Sequence, residues 1–136
     1  PFGAHLGSGF PRFNPGEFTA SDVLARGEAD AALIIASDPM SNFSQPARDH
    51  LEGIPSVVLD PKLSDTARTA SVAFTTSTYG INTGGTVYRM DDVPIPLRPA
   101  FDSPYKSDLE ILRGIESRIR QRQLAGSLPD PAVSGA

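Results

Sequence analysis

The chain has 136 residues, a net charge of −4 and no cysteine, a length that supports a folded domain with its own core. The lack of cysteine excludes disulfides, thiol catalysis and any cysteine-held zinc, iron–sulfur or molybdenum centre within these residues, and no apolar run approaches the roughly 18 to 20 residues of a membrane-spanning helix. What is left is an acidic α/β chain rich in turn formers, with 12 Gly and 13 Pro. No basic-then-apolar leader is visible in residues 1–25, so a cytoplasmic setting is expected; the chain opens on Pro1, as a processed or partial product does.

Residues 1–18, PFGAHLGSGFPRFNPGEF, show neither a helical nor a strand period and are expected as an irregular Gly/Pro-rich arm. A single α/β domain is expected over 19–124 and a flexible tail over 125–136. Thr19 or Ser21 offers the N-cap of a short helix that stops at Arg26 and Gly27. Ala31–Ala36 is a continuous apolar run, the pattern of a strand covered on both faces, and Ser37-Asp38-Pro39 halts it. QPARDHLE, at 45–52, reads as a short helix closed by Gly53. A second apolar run, Ile54–Leu59, ends on Asp60-Pro61. Two such runs separated by a helix make a βαβ unit, which places the chain among Rossmann-like parallel α/β folds.

Ser71–Thr76 is the next strand, and STYGINTGGT, at 77–86, an ordered loop. Val87–Met90 and Val93–Leu97 suit a small hairpin around Asp91-Asp92, with Pro94 and Pro96 restricting the second arm to an edge position or an irregular segment. The last helix starts at Ser107, where Glu110 three positions on completes a capping-box signature. Leu109, Leu112, Ile115 and Ile119 share one face of it, and Arg113, Arg118, Arg120 and Arg122 crowd its C-terminal half.

These residues contain no catalytic signature. His5 and His50 lack a ligand partner at any useful spacing, and His50, beside Asp49, is expected on the surface. HExxH, GxSxG and His-x-His patterns are missing, so neither catalytic nor metal-ligating residues are assigned. Gly80–Thr86 is rich in Gly and hydroxyls but has no Lys, and it matches neither a Walker loop nor a dinucleotide fingerprint. A structural turn with positive φ at Gly84 or Gly85 explains it equally well. Ser37-Asp38 and Asp60 close the two apolar strands, at the carboxyl ends where open parallel sheets bind ligands. An acid there can accept hydrogen bonds from the amino edge of a guanine, or the Asp-Pro pairs can simply cap the following segments. The Arg-rich helix belongs to an acidic chain with no interleaved aromatics, so no nucleic-acid partner is expected.

RGEADAALIIASDP (26–39), IPSVVLDP (54–61) and YGINTGGTVYRMDDVPIPLR (79–98), preceded by GFPRFNPGEFTASDVL (9–24), resemble the B subunit of formylmethanofuran dehydrogenase, a member of the molybdopterin oxidoreductase superfamily. The resemblance covers about residues 9–120. It implies a domain that helps hold a pterin guanine dinucleotide carrying tungsten or molybdenum, with Ser37, Asp38, Pro39 and Asp60 lining the nucleotide crevice. The metal ligand, cluster cysteines and catalytic His and Arg of that family lie upstream of the matching portion. One departure stands out: the family loop reads G-I-E-x-E-G-T, with acids where this chain has Asn82 and Gly84. That loss points to the similar B subunit of the bacterial formyltransferase/hydrolase complex, a non-catalytic structural subunit. Its expected partners are the A, C and D subunits, with no membrane partner. The A and D subunits move formyl from formyl-tetrahydromethanopterin to methanofuran and hydrolyse it to formate. On this reading the chain itself holds no cofactor. The alternative is part of a redox dehydrogenase B subunit that binds the tungstopterin or molybdopterin guanine dinucleotide.

Overall fold

The computed structural model describes residues 3–5, 10–12 and 18–126. Within the expected irregular arm, β1 (Gly3–His5) and β2 (Phe10–Arg12) pair antiparallel, Gly3 opposite Arg12 and His5 opposite Phe10. Such a ribbon is held by backbone groups and tolerates Pro11 because each strand has an open side; no side-chain period announces it. The rest of the arm, the side chain of His5 and most of the expected C-terminal tail (127–136) lie outside the described residues. The chain divides into two compact units, one ending at Thr75 and the other beginning at Thr76, and each is described by itself.

In the first unit, α1 (Ala20–Ala25) starts where the Thr19 hydroxyl accepts the Asp22 N–H at 3.2 Å, and it stops at Gly27, whose φ is +69°. β3 (Ala32–Ile35), β4 (Ser56–Asp60) and β5 (Val72–Thr75) form a parallel sheet in that spatial order. Between β3 and β4 run α2 (Pro39–Asn42) and α3 (Gln45–Gly53); α4 (Asp65–Thr69) links β4 to β5. The one-turn α2 and α4 have no apolar period of their own, and sequence reading finds neither.

Strand order and handedness decide where the core lies. Both crossovers step in the same direction, and right-handed crossovers then carry their helices to the same face of the sheet. Ile34 is opposite Val58 in the register, so both point to that face. There they are buried with Leu24, Ala47, Leu51 and Ala67 from the three longer helices. Leu51 is 4% exposed; Leu51→Ala is expected to destabilise the unit by about 3 kcal/mol through lost burial and a residual cavity, measurable as a lowered urea midpoint.

The other face carries Leu33, Val57 and Val72 in one lateral row and Ile35, Leu59 and Phe74 in the next. Leu59 on the central strand is fully buried, whereas Leu33, Ile35, Val72 and Phe74 are exposed. The expectation of two-sided cover therefore holds for β4 and fails for β3, which is an edge strand among the described residues.

In the second unit, β6 (Gly85–Tyr88) and β7 (Pro94–Leu97) pair antiparallel, Tyr88 opposite Pro94. The first arm begins two residues earlier than the sequence predicts. Arg89–Asp92 makes the turn: Asp92 N–H donates to Arg89 O at 3.0 Å, Asp92 takes φ +62°, and Arg89 pairs with Asp91 at 3.0 Å. Met90 is therefore in the turn, wholly exposed. α5 (Asp108–Leu124) opens on the expected capping box, Ser107 and Glu110 each bonding the other's backbone N–H. Those bonds, with the Ser107 hydroxyl first, hold the Glu110 carboxyl below its ordinary range. The predicted stripe is displaced: Ile111 is the buried residue, Leu112 and Ile115 are half-buried, and Leu109 and Ile119 are exposed.

Candidate functional site

Parallel register brings the sequence-predicted residues to one edge. Ile35 stands opposite Leu59, and Ala36 N–H donates to Leu59 O at 2.9 Å, so Ser37-Asp38 and Asp60 both leave the carboxyl end of the sheet. The turn out of β3 is made by Ala36 with φ +48°, a left-handed conformation that costs a side-chain-bearing residue about 1 kcal/mol. Sequence reading does not find this residue; an Ala carries no mark of positive φ.

The four candidate residues have different surroundings. Ser37 is exposed and Pro39 is buried at the start of α2. Asp38 is a brace. Its Oδ1 accepts the Thr66 N–H at 3.0 Å and the Thr66 hydroxyl at 2.6 Å, and its Oδ2 accepts the Ser41 hydroxyl at 2.7 Å. Thr66 is 1% exposed, and its Oγ1 also accepts the Met40 N–H at 3.0 Å. One carboxylate thus satisfies a backbone donor in the first turn of α4, where helices have no internal partner for their N–H groups. It also ties that turn to the end of β3. The Thr66 hydroxyl, with the Ser41 hydroxyl and backbone N–H groups, lowers the Asp38 pKa to about 2 against the opposing effect of burial. Thr66 and Ser41 escape a sequence reading because they lie 28 and 3 residues from Asp38 and form no motif with it.

Asp60, the last residue of β4, is buried, and its Oδ1 accepts the Lys62 N–H at 3.0 Å. This is the Asp-Pro cap that the sequence left open as the plainer reading. Its second oxygen makes no hydrogen bond among the described residues. Ser37 and the second oxygen of Asp60 therefore keep acceptor capacity, whereas Asp38 spends most of its own on the fold. Order β3-β4-β5 contains no reversal, so the switch point at which open sheets seat nucleotides does not fall within these three strands.

The Gly-rich loop is closed on itself. Thr78 O accepts from Ile81, Asn82 and Thr83 N–H, and Thr83 O accepts from Gly80 N–H at 3.1 Å, which leaves those amides unavailable as a phosphate cradle. Positive φ falls on Gly80, at +79°, and not on Gly84 or Gly85. Those two are needed for space: a Cβ at 84 would lie 3.0 Å from Leu97 O, and one at 85 would lie 2.5 Å from Tyr79 Oη. Asn82 is a staple, its Nδ2 donating to Phe101 O at 3.3 Å and Asp102 O at 3.5 Å. Beside this loop lies an open polar recess of about 590 Å³, lined among others by Ser77, Thr83, Asp102, Lys106 and Glu110.

His50 is half-buried and structural, its Nε2 2.8 Å from Ala29 O, beneath the Gly27 turn. Among the described residues no three His, Asp or Glu side chains cluster as a metal site, and no helix is long and apolar enough to cross a membrane.

Fold and edge together define an open parallel α/β segment with helices on one face and its polar turns at the strand carboxyl ends. No protein-family model matches it. The chain is 43% identical over 123 residues to the B subunit of tungsten-containing formylmethanofuran dehydrogenase 2 from Methanocaldococcus jannaschii, covering 89% of this chain and 28% of that relative. It is 36% identical over 121 residues to the protein of the same name from Methanococcus maripaludis, covering 88% and 28%. Over this segment the chain is similar to formylmethanofuran dehydrogenase B subunits. It spans 28% of the length of these curated relatives.

Proposed function

We propose that the chain serves as part of a formylmethanofuran dehydrogenase B subunit, supplying framework at the edge of a tungsten or molybdenum pterin site and none of the reacting groups. The observation that carries this reading is the 43% identity to a tungsten-containing dehydrogenase's B subunit, sustained across 89% of the chain. When bound, the metal pterin supplies the redox chemistry. The residues here would position its nucleotide portion: Asp60 and Ser37 offer acceptors at the carboxyl edge, and Asp38 keeps the β3 turn in place through Thr66. Other subunits of a dehydrogenase are the partners this role requires.

Assignment to the formyltransferase/hydrolase complex, with A, C and D partners and no cofactor, draws its support from the missing acids at positions 82 and 84. Asn82 and Gly84 have local work in this loop, as staple and as spacer, which weakens that support. Metal analysis of the natively purified assembly separates the two. Tungsten or molybdenum stoichiometric with this chain is expected, with Asp60→Ala lowering its retention. A metal-free assembly that transfers formyl groups would overturn the proposal in favour of the formyltransferase/hydrolase complex.

A further inference from the structure

The apolar stripe of α5 outruns the core that covers it. Ile111, Ile115 and Ile119 recur every four residues and so share one side of the helix. Ile111 is buried and Ile115 half-buried, but residues 116–122 are all exposed, Ile119 at 46%. The second unit thus spends its packing on the first half of α5. It leaves most of the last nine or so residues, roughly 13 Å of helix, in the open. A helical stretch of that length is marginal in water by itself.

The charge on this half is as one-sided as its exposure. Residues 113–122 hold four Arg against one Glu, in a chain whose net charge is −4. At about 100° per residue, Arg118 and Arg122 flank Ile119 on one side, and Arg113 and Arg120 on the other. Arg120 pairs with Glu116 at 2.7 Å, whereas neither Arg113 nor Arg118 forms an ion pair among the described residues. A shallow groove of about 340 Å³ follows the second flank, lined by Arg113, Arg120 and Leu124 among others.

We infer that the C-terminal half of α5 docks on a different subunit of the assembly, in an apolar groove edged on both sides by Asp and Glu. Composition and charge select that occupant. An isoleucine stripe edged by arginines is the make-up of a subunit interface, where Arg is enriched and anchors binding. The interior of a domain almost never takes up Arg without a partner. Ile119 and the open part of Ile115 would enter the groove, as the apolar face of an amphipathic helix does. The guanidinium groups would pair with carboxylates at its rims. A second copy of this helix would bring two arginine-rich halves together, and these repel. Nucleic acid would make no use of the stripe, and α5 has no aromatic side chain on which a base could stack. The inference rests on the proposed membership of a multi-subunit assembly, and it holds whether or not that assembly carries metal.

The test uses the natively purified assembly. Ile119→p-benzoylphenylalanine, irradiated there, is expected to crosslink to a different subunit, at a segment containing Asp or Glu. Arg113→Glu with Arg118→Glu is expected to speed dissociation of this chain from the assembly by at least about 10-fold, and Ile119→Asp by about 100-fold. All three positions are exposed, so the variants leave the helix and its capping box intact. A crosslink to the same polypeptide, to a second copy or to nucleic acid overturns the inference. So does the absence of any crosslink, or an unchanged dissociation rate in both variants. An assembly that holds together through Ile119→Asp refutes this docking alone, with metal content read separately. A chain that purifies without other subunits refutes the wider reading as well.

Discussion

Asp38→Ala is expected to lower the stability of the first unit by about 2–3 kcal/mol, because it strands the N–H and hydroxyl of the buried Thr66 at once. Asp38→Asn keeps an oxygen for Thr66 and should cost about 1 kcal/mol. Urea denaturation of each variant at neutral pH measures both. The wild-type carboxyl is depressed from 3.8 to about 2, so its contribution is complete above pH 3.8 and is lost as pH falls through 2. After allowance for solvent screening that contribution is about 1–2 kcal/mol. The Asn variant should lack this acid-dependent component, and its stability should converge on that of the wild type between pH 4 and pH 2. A purely ligand-directed Asp38 would leave the stability of the unliganded chain unchanged in both variants, so the experiment separates brace from ligand.

How much of this is legible in the sequence depends on whether the cause is local. Thr19, Gly27, Ser107 and Glu110 act within one helical turn of themselves, and the helices start and stop as their chemistry predicts. The strands of the βαβ core are visible because each is a continuous apolar run. Three-dimensional causes are not. The Thr66 hydroxyl becomes Asp38's partner only when β3 and α4 are brought together across 28 residues. The exposed row of Leu33 and Ile35 depends on strand order, which fixes the face that the crossovers cover, and no residue in the run encodes it. Positive φ at Ala36 is likewise imposed by the turn between β3 and α2. The resemblance to the dehydrogenase family is legible because strings such as ALIIASDP combine strand and turn residues in an order that the local rules alone do not require. The role of each acid within that string is not.

Placing acids where the family resemblance implies them, Asn82→Glu with Gly84→Glu, is expected to destabilise the second unit by about 2 kcal/mol. At 82 the substitution removes both donors that hold Phe101 O and Asp102 O, and it replaces them with a carboxylate that repels these carbonyls. At 84 a Cβ meets Leu97 O at 3.0 Å and Pro99 Cδ at 3.3 Å. Leu97 O is backbone of the hairpin, so relief requires β7 or the loop to move. If the backbone here were suited to acids at both positions, the double variant would unfold at the wild-type midpoint. The single variants apportion the effect. Gly84→Ala alone should cost about 1 kcal/mol through crowding, and Asn82→Asp should cost about 0.5–1 kcal/mol by removing the amide donor from two exposed carbonyls. Asn82 as a staple and Gly84 as a spacer both serve the packing of this loop. The residues at positions 82 and 84 therefore bear first on how residues 77–102 are held together.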